Sequence, residues 1–283
     1  MRKLIIVLFT TTFFNACGQS AKEVVFDSRF QPNSEYITEM ESISKSKINF
    51  TGPEEKINNI KASGIELPMI VEGSTSMKTT IQTFDLLPDG TFKAKVEYGN
   101  ILSSQVQNGE RSEKDSPISG LIVEGTYNSQ NKFKIDTLIS DKVDDNTKNT
   151  LIYTLENVQD KIEFPDYPMK VGDSFEQELP MNIPVAGISN VGIIIMTKYK
   201  LKNISGDLAT FEINQTIELN MDVEQADVSA TGSGTGISKF DMSEKFITKY
   251  ESDLTIELAM SVEDLKIIAE INARSSQNVT IKR

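Results

Sequence analysis

Two long stretches in the last third of the chain alternate between apolar and polar side chains. In residues 211–223 every odd position except Gln215 is apolar, and every even position is polar or charged. Residues 246–262 follow the same period of two, although less strictly. Such alternation gives a strand one apolar and one wet face, which is typical of an antiparallel sheet covered on one side only. The chain is therefore predicted to be mainly β.

Shorter alternating runs predict further strands upstream. They comprise residues 92–98, which follow a turn containing proline and glycine, a hairpin over 121–136, and residues 193–201. The stretch 211–223 alone would reach roughly 43 Å at about 3.3 Å per residue, and a sheet of such long strands has to curl. We therefore predict an elongated antiparallel sheet, curled into a half-barrel or into two similar meanders.

Two segments have helical rather than strand periodicity. Within residues 140–163 apolar side chains such as Leu151 and Leu155 recur every three or four positions, and aspartates stand in the predicted first turn. This helix is expected to pack on the apolar face of the sheet. Residues 53–63 predict a short surface helix, because a proline and two glutamates stand at its start and few of its positions are apolar.

The order of the predicted elements divides the chain into two similar halves. Residues 25–139 and 176–283 each have the pattern of a meander of strands, and the helix together with a crossover joins them. We predict a single β-rich domain over 25–283 that is built from these two halves. Their similar order is the pattern that an internal duplication would leave.

The first seventeen residues resemble the signal of bacterial lipoproteins. Arg2 and Lys3 precede a short apolar run, and small residues lead to Cys17, the only cysteine of the chain. The resemblance implies that residues 1–16 are removed. It also implies that Cys17 carries acyl chains, palmitate among them, which hold the protein to a membrane through a tether over 17–24. An ordinary secretory signal followed by a chance cysteine is the alternative.

The composition excludes several classes of chemistry. Without Arg2 and Lys3 the mature chain keeps 27 of the 29 basic residues against 41 acidic ones, a net charge of −14 that repels nucleic acid. The chain has no histidine, which excludes Ser-His-Asp triads, Cys-His pairs and histidine-ligated zinc. Acylation of the single cysteine would also remove thiolate metal sites and redox pairs. We therefore predict a protein with no enzymatic activity, cofactor or metal.

A glycine at every second position, Gly232, Gly234 and Gly236, predicts a face of the sheet against which something packs closely. A dinucleotide loop is not indicated, because these glycines lie in an alternating strand rather than at a strand-to-helix turn. The occupant is expected to be the helix at 140–163 or, alternatively, an apolar ligand. The same face is predicted to include the apolar side chains of the two long strands: Phe211, Ile213, Ile217, Leu219, Leu254, Ile256 and Leu258.

Residues 163–181 resemble a segment of a family of Gram-negative lipoproteins of unknown function. That segment has the pattern FP-x-x-P-V-x-VGDSW, and this chain keeps seven residues in matching places: Phe164, Pro165, Pro168, Val171, Gly172, Asp173 and Ser174. Phe175 stands where the family has tryptophan, and Met169 stands where it has valine. A second short match, G-x-G-x-x-x-FD, covers residues 234–241. The resemblance implies an envelope lipoprotein and brings no activity with it.

Two classes of function fit these predictions. In the first, the protein is a non-catalytic lipoprotein of the cell envelope, predicted at the outer membrane, that binds a partner protein or has a structural role at the membrane surface. In the second, the apolar face binds a lipid or another hydrophobic ligand, as in carriers of the lipoprotein-localisation type, whose architecture the predicted half-barrel resembles. An apolar cavity would favour the ligand, and a core filled by the helix would favour the partner.

Overall fold

The computed structural model describes residues 23–107, 109–116, 118–157, 162–183, 191–219, 227–262 and 264–283. This part of the chain forms thirteen strands and two helices. In chain order they are β1 (Glu35–Thr51), α1 (Glu54–Ala62), β2 (Met69–Leu86), β3 (Phe92–Tyr98), β4 (Leu102–Gln107), β5 (Glu110–Asp115), β6 (Ile122–Tyr127), β7 (Phe133–Ile139), α2 (Asp145–Asn157), β8 (Ser174–Ile183), β9 (Val191–Ser205), β10 (Leu208–Leu219), β11 (Asp227–Asp241), β12 (Phe246–Val262) and β13 (Leu265–Lys282).

These thirteen strands form one antiparallel sheet whose two outer strands, β7 and β8, do not pair with each other. Along the sheet the order is β7-β6-β3-β2-β1-β13-β12-β11-β10-β9-β8, and a hairpin of β4 and β5 continues from the first part of β2. The sheet is curled, because side chains of both outer strands line one cavity on its concave face. The predicted fold class, a mainly β antiparallel half-barrel, is confirmed.

The two meanders meet at the centre of the sheet, where the first and last strands pair. β1 and β13 are in register from Glu35 opposite Lys282 to Thr51 opposite Lys266. Each meander then runs outwards to its own edge, β7 on one side and β8 on the other. The N-terminal and C-terminal strands therefore join the two halves into one sheet, while an origin by duplication stays a prediction.

The strands predicted from alternation are present. β3 and β12 have the predicted bounds, β6 and β7 form the predicted hairpin, and β9 includes the predicted residues. β10 begins three residues earlier than predicted, at Leu208, and residues 220–223 of that prediction lie outside the described residues. α1 has no buried residue, so it is the surface helix that the sequence predicted.

The second helix is shorter than predicted. The carboxylate of Asp144 accepts hydrogen bonds from the backbone N–H of Thr147, at 2.9 Å, and from its hydroxyl, at 3.1 Å. Asp144 is therefore the residue that caps α2, and a capping residue stands just outside the helix. The predicted start at residue 140 was wrong for this reason, and residues 162 and 163 are not helical either.

α2 packs on the apolar face, as predicted, but over one side of the sheet only. Leu151 and Leu155 contact a buried cluster of side chains from the first half of the chain: Val96, Leu121, Val123, Ile135 and Leu138. The neighbouring strand of the helix is β7, the outer strand of that half. The helix thus covers one edge of the half-barrel.

The central strands β1 and β13 interrupt their apolar alternation where they cross the middle of the concave face. There Ser275 and Gln277 of β13 lie directly opposite Ser42 and Met40 of β1 in the paired strands. β13 has no counterpart among the predicted strands, and the sequence of β1 is compatible with either a strand or a polar loop. Both are nevertheless central strands, because backbone pairing on both sides does not depend on how apolar the side chains are.

An aromatic cluster closes one end of the half-barrel. Residues 23–34, the N-terminal segment, cross the concave face from the β10–β11 side to the β6 side. Phe26 is 3% exposed, and its ring centroid lies 5.0 Å from that of Phe211 and 5.4 Å from that of Phe240. Phe30 contacts Tyr127 on the other side, at 5.0 Å. The two contacts of Phe26 are edge-to-face, an arrangement that stabilises ring pairs beyond the area that they bury.

The crossover before β8 holds the N-terminal segment in place. Met169 is fully buried, and its backbone exchanges two hydrogen bonds of 2.8 Å with Val24. Phe164 stacks on Phe26 at 5.4 Å, and Phe175 stacks on Tyr199 at 4.9 Å. Phe164, which belongs to the resemblance, and Met169 and Phe175, which depart from the family pattern, therefore help to build this closed end.

Burial of tyrosine side chains predicts that the fold loses stability in alkali. Burial raises the pKa of four concave tyrosines above the usual value of 10.0: Tyr36, Tyr98, Tyr127 and Tyr199. The unfolded chain releases these phenol protons near pH 10.0 while the folded chain keeps them, so rising pH favours unfolding above that value. We expect β-structure, followed by circular dichroism, to be lost together with a rise in tyrosinate absorbance. Tyrosine ionisation with the sheet intact would contradict this.

Candidate ligand-binding cavity

A cavity of about 490 Å³ lies on the concave face of the sheet, and we call it the central cavity. Strands of both halves contribute its walls, and Leu155 of α2 and Phe30 of the N-terminal segment complete them. Its apolar side chains include the following: Met77, Ile81, Val96, Val123, Ile135, Leu179 and Phe246. Pockets that hold small ligands span about 300–1,000 Å³, so the central cavity has a suitable size.

The walls of the central cavity carry almost no charge. Among the described residues that line it, Arg29 alone is charged. Its guanidinium forms an ion pair with Asp27 and is 46% exposed, so it stands at the rim rather than inside. A fully ionised ligand group would therefore find no buried partner of opposite charge in this cavity, and burying it unpaired is costly.

Two polar side chains in the walls have an atom without a hydrogen-bond partner. The side-chain N–H of Gln215 donates to the hydroxyl of Thr197 at 3.3 Å, which leaves Oε1 of Gln215 without a donor. The hydroxyl of Thr79 also has no partner. Gln215 is 8% exposed and Thr79 is 7% exposed, so these atoms are shielded from bulk solvent. Buried polar atoms without partners are uncommon, and each one calls for an explanation.

The face predicted from the long strands is buried core rather than cavity wall. Phe211 and Ile213 belong to the closed-end cluster around Phe26. The remaining residues of the prediction pack in a second cluster near the other end of the same strands: Ile217, Ile256 and Leu258, with Leu219 and Leu254 partly buried beside them. None of these seven residues lines the central cavity. The residue of β10 that lines the central cavity is Gln215. It is the polar residue that interrupts the apolar alternation of this strand.

The glycines of β11 make room for their neighbouring strands, not for a helix. A Cβ on Gly232 would lie 2.7 Å from Cδ1 of Ile217, and a Cβ on Gly234 would lie 2.7 Å from Oε1 of Gln215. At Gly236 the closest atom is the backbone oxygen of Glu251 in β12. The described residues of α2 pack beside β7 instead. The groups that pack closely at these glycines therefore belong to β10 and β12.

The predicted lipidation site lies outside the described residues, which begin at Glu23. Within the described ranges no helix has the length and apolar character needed to cross a bilayer. The same ranges contain no group of three or more His, Cys, Asp or Glu side chains placed to hold a metal ion.

Comparison with known proteins adds no family to this description. No family model matches the chain, and no curated protein matches it. Among solved structures, OccK5 (OpdH) of Pseudomonas aeruginosa shares 7% identity over 90% of this chain and 100% of its own, with a TM-score of 0.27. The enduracididine biosynthesis enzyme MppR shares 6% identity over 92% of this chain and 96% of its own, with a TM-score of 0.11. Both TM-scores are too low to support an argument about fold or function.

Proposed function

We propose that this protein binds a hydrophobic ligand in the central cavity. The observation that carries the proposal is the cavity itself, about 490 Å³ on the concave face between the two halves of the sheet. A filled core would have favoured a partner-binding protein, but Leu155 of α2 lies in the wall of the cavity and does not fill it. Apolar walls and a suitable volume are the usual properties of small-molecule sites.

The arrangement of the walls supports a ligand that enters from the side. Ile135 of β7 and Leu179 of β8 both line the central cavity, although these outer strands do not pair. Leu179 is 39% exposed, so the apolar surface continues to the solvent at this edge. Met77 adds a flexible, polarizable side chain that adapts to ligands of different shape. An acyl chain fits such a cleft.

The proposed setting is the cell envelope, with the protein held to a membrane by acyl groups on Cys17. The N-terminal segment supports this arrangement, because Val24 already pairs with Met169 at the closed end of the half-barrel. A tether from Cys17 to Val24 is only a few residues long, so the half-barrel would stay close to the membrane surface. A lipid-binding cavity in that position would lie close to its source of ligand.

The proposed role is binding without catalysis. Among the described residues, the walls of the central cavity contain no carboxylate, lysine or cysteine, and the chain has no histidine. General acid–base catalysis and the activation of a hydroxyl nucleophile most often use a histidine, a carboxylate or a lysine beside the bound substrate. The nearly uncharged walls therefore favour a carrier or sensor of a hydrophobic molecule over an enzyme.

Filling the central cavity is expected to weaken ligand binding strongly. Thr38 of β1 lines the cavity and is half-buried, so Thr38→Trp would place an indole in it. We expect at least about tenfold weaker binding of diphenylhexatriene, a wholly apolar dye that fluoresces strongly only in apolar surroundings. Fluorescence titration of the purified protein measures this loss.

The matched control places the same side chain on the outer face. Thr231 of β11 is exposed, and it precedes Gly232, whose face is concave, so its own side chain lies on the convex face. Thr231→Trp should bind the dye as the unmodified protein does. Equal dye binding by both variants, or no dye binding by the unmodified protein, would contradict the proposed function. Either result would favour the partner-binding hypothesis instead.

A further inference from the structure

Exposed apolar side chains are concentrated at the closed end of the half-barrel. Among the described residues twelve large apolar side chains are exposed, and six of them lie at this end; we call these six the end surface: Val25, Phe84, Leu86, Leu87, Tyr167 and Val171. Single exposed apolar side chains are ordinary. A group of them at one end of a molecule marks a surface that contacts a partner or a membrane.

The N-terminal segment connects the two parts of the end surface. At its start, Val24 pairs with Met169 of the crossover, the segment that carries the exposed tyrosine and valine. At its end, the backbone N–H of Asn33 donates to the carbonyl oxygen of Phe84 at 3.2 Å, just before the turn between β2 and β3. The exposed side chains of the crossover and those of this turn therefore lie at the same end of the sheet, joined by one segment.

The chain leads towards the predicted anchor from this same end. The described residues begin at Glu23, six positions after Cys17. Six extended residues span at most about 20 Å, so an acylated Cys17 would hold the closed end within that distance of the bilayer. The 17 residues of β1 alone reach roughly 56 Å at about 3.3 Å per residue. The opposite end of the sheet can therefore stand well away from the membrane, whereas the closed end cannot.

The charge of the closed end favours a zwitterionic bilayer over an anionic one. Its connecting segments together contain eight acidic and four basic residues, a net charge of −4: residues 23–34, 87–91, 128–132, 163–173, 206–207 and 242–245. Such a surface repels anionic headgroups. Its attraction to a bilayer must come from apolar side chains. Tyr167, which is 55% exposed, is of a residue type that is enriched at the interface between membrane and water.

We propose that the end surface docks on a zwitterionic lipid bilayer and inserts its apolar side chains at the boundary between headgroups and acyl chains. Removal of these side chains from water stabilises the docked state. The inference goes beyond the proposed function, which concerns the central cavity, because it assigns the end of the half-barrel that contacts the membrane. The predicted anchor serves only to bring this end to the bilayer.

Single tryptophans test the docking, because the chain has none and one introduced indole reports its own position. The full-length protein is reconstituted in phosphatidylcholine vesicles, with and without phosphatidylcholine that carries a nitroxide on its acyl chain near the headgroup. We expect the nitroxide to quench about half or more of the fluorescence of Leu87→Trp and of Val171→Trp, since side chains inserted by about 5–10 Å reach its depth. Two other exposed positions are controls and should lose little fluorescence: Ile43→Trp, midway along β1, and Ile268→Trp, near the opposite end.

A charge in one part of the end surface tests whether both parts insert together. Leu87→Asp, added to the Val171→Trp protein, should lower the quenching about twofold, because a carboxylate is costly to bury in an apolar region. Leu102→Asp is the matched control, since this leucine of β4 is 66% exposed and lies away from the closed end. It should leave the quenching unchanged. Equal effects of the two aspartates would overturn the role of the end surface as one docking site.

The remaining outcomes also decide the inference. Equal quenching at all four tryptophan positions, or quenching at none, would overturn it, whether or not the N-terminal peptide carries acyl groups. Strong quenching at the two positions of the end surface alone would support it. Binding of diphenylhexatriene in the central cavity is measured separately, so failure of the proposed function is distinguishable from failure of the docking.

Discussion

Phe211→Ala is expected to lower the free energy of unfolding by about 3–5 kcal/mol, because it empties the centre of the aromatic cluster at the closed end. Phe211 is 1% exposed. Its ring contacts three others, with centroid distances of 5.0 Å to Phe26, 5.5 Å to Phe164 and 6.2 Å to Phe175. This loss of stability has three sources: the apolar burial of the phenyl ring is lost, a cavity remains in its place, and the ring contacts with its neighbours disappear. Denaturant unfolding followed by circular dichroism measures it.

The same substitution at an exposed position is the control. Phe84 of β2 is 43% exposed, so Phe84→Ala should cost well under half as much. Since folding stability averages about 5–15 kcal/mol, the first variant would lose a large part of it and the second would not. Equal losses would show that the cluster is not the core of the closed end. They would also weaken the view that the N-terminal segment is fixed there.

Cys17→Ala is expected to move the protein from the membrane fraction to the soluble fraction. The expected acyl chains each contribute roughly 0.8 kcal/mol per buried methylene, so two or three chains hold a protein almost irreversibly. The described residues contain no helix that crosses a membrane and would replace this anchor. Fractionation of cells after a high-salt wash, with detection of the protein in each fraction, measures the change.

A neighbouring substitution and a mass measurement make this result specific. Ser20→Ala leaves the predicted cleavage site unchanged and should stay with the membrane. The N-terminal peptide of the unmodified protein should be heavier than its sequence by the mass of its acyl groups. Cys17→Ala that still sediments with membranes would contradict the acyl groups as the anchor. An unmodified peptide mass would also contradict them and would favour an ordinary secretory signal.

The strands of this protein were predictable because alternation is a local property. Residues such as Phe211 and Ile213 face inwards wherever the strand lies, since the pleat turns every second side chain to the same face. The helix boundary was less predictable, because Asp144 was counted in the first turn and instead caps the helix from outside. β13 escaped prediction because Ser275 and Gln277 break its apolar face where it passes the middle of the sheet.

The candidate site was less predictable than the fold. The ligand-binding face predicted from the sequence was the most apolar face of the two long strands, and its side chains are buried in the core. The walls of the cavity instead include Gln215, the polar residue in the otherwise apolar face of β10, and Thr79 from a strand of the other half. The only signal in the sequence was that interruption, because a polar residue among inward-facing positions is costly unless it has a partner or a ligand.

The sequence by itself determined which faces of the strands are buried, that the sheet is antiparallel, and that one helix covers part of it. The tertiary structure alone decided the order of strands, the pairing of β1 with β13, and the place of the central cavity. The alternation of side chains can be read from neighbouring residues in the sequence. The backbone of a strand, however, can form its hydrogen bonds with any other antiparallel strand, so alternation does not determine which strands pair. A cavity forms only where the curl of the sheet brings side chains that are distant in sequence around one volume.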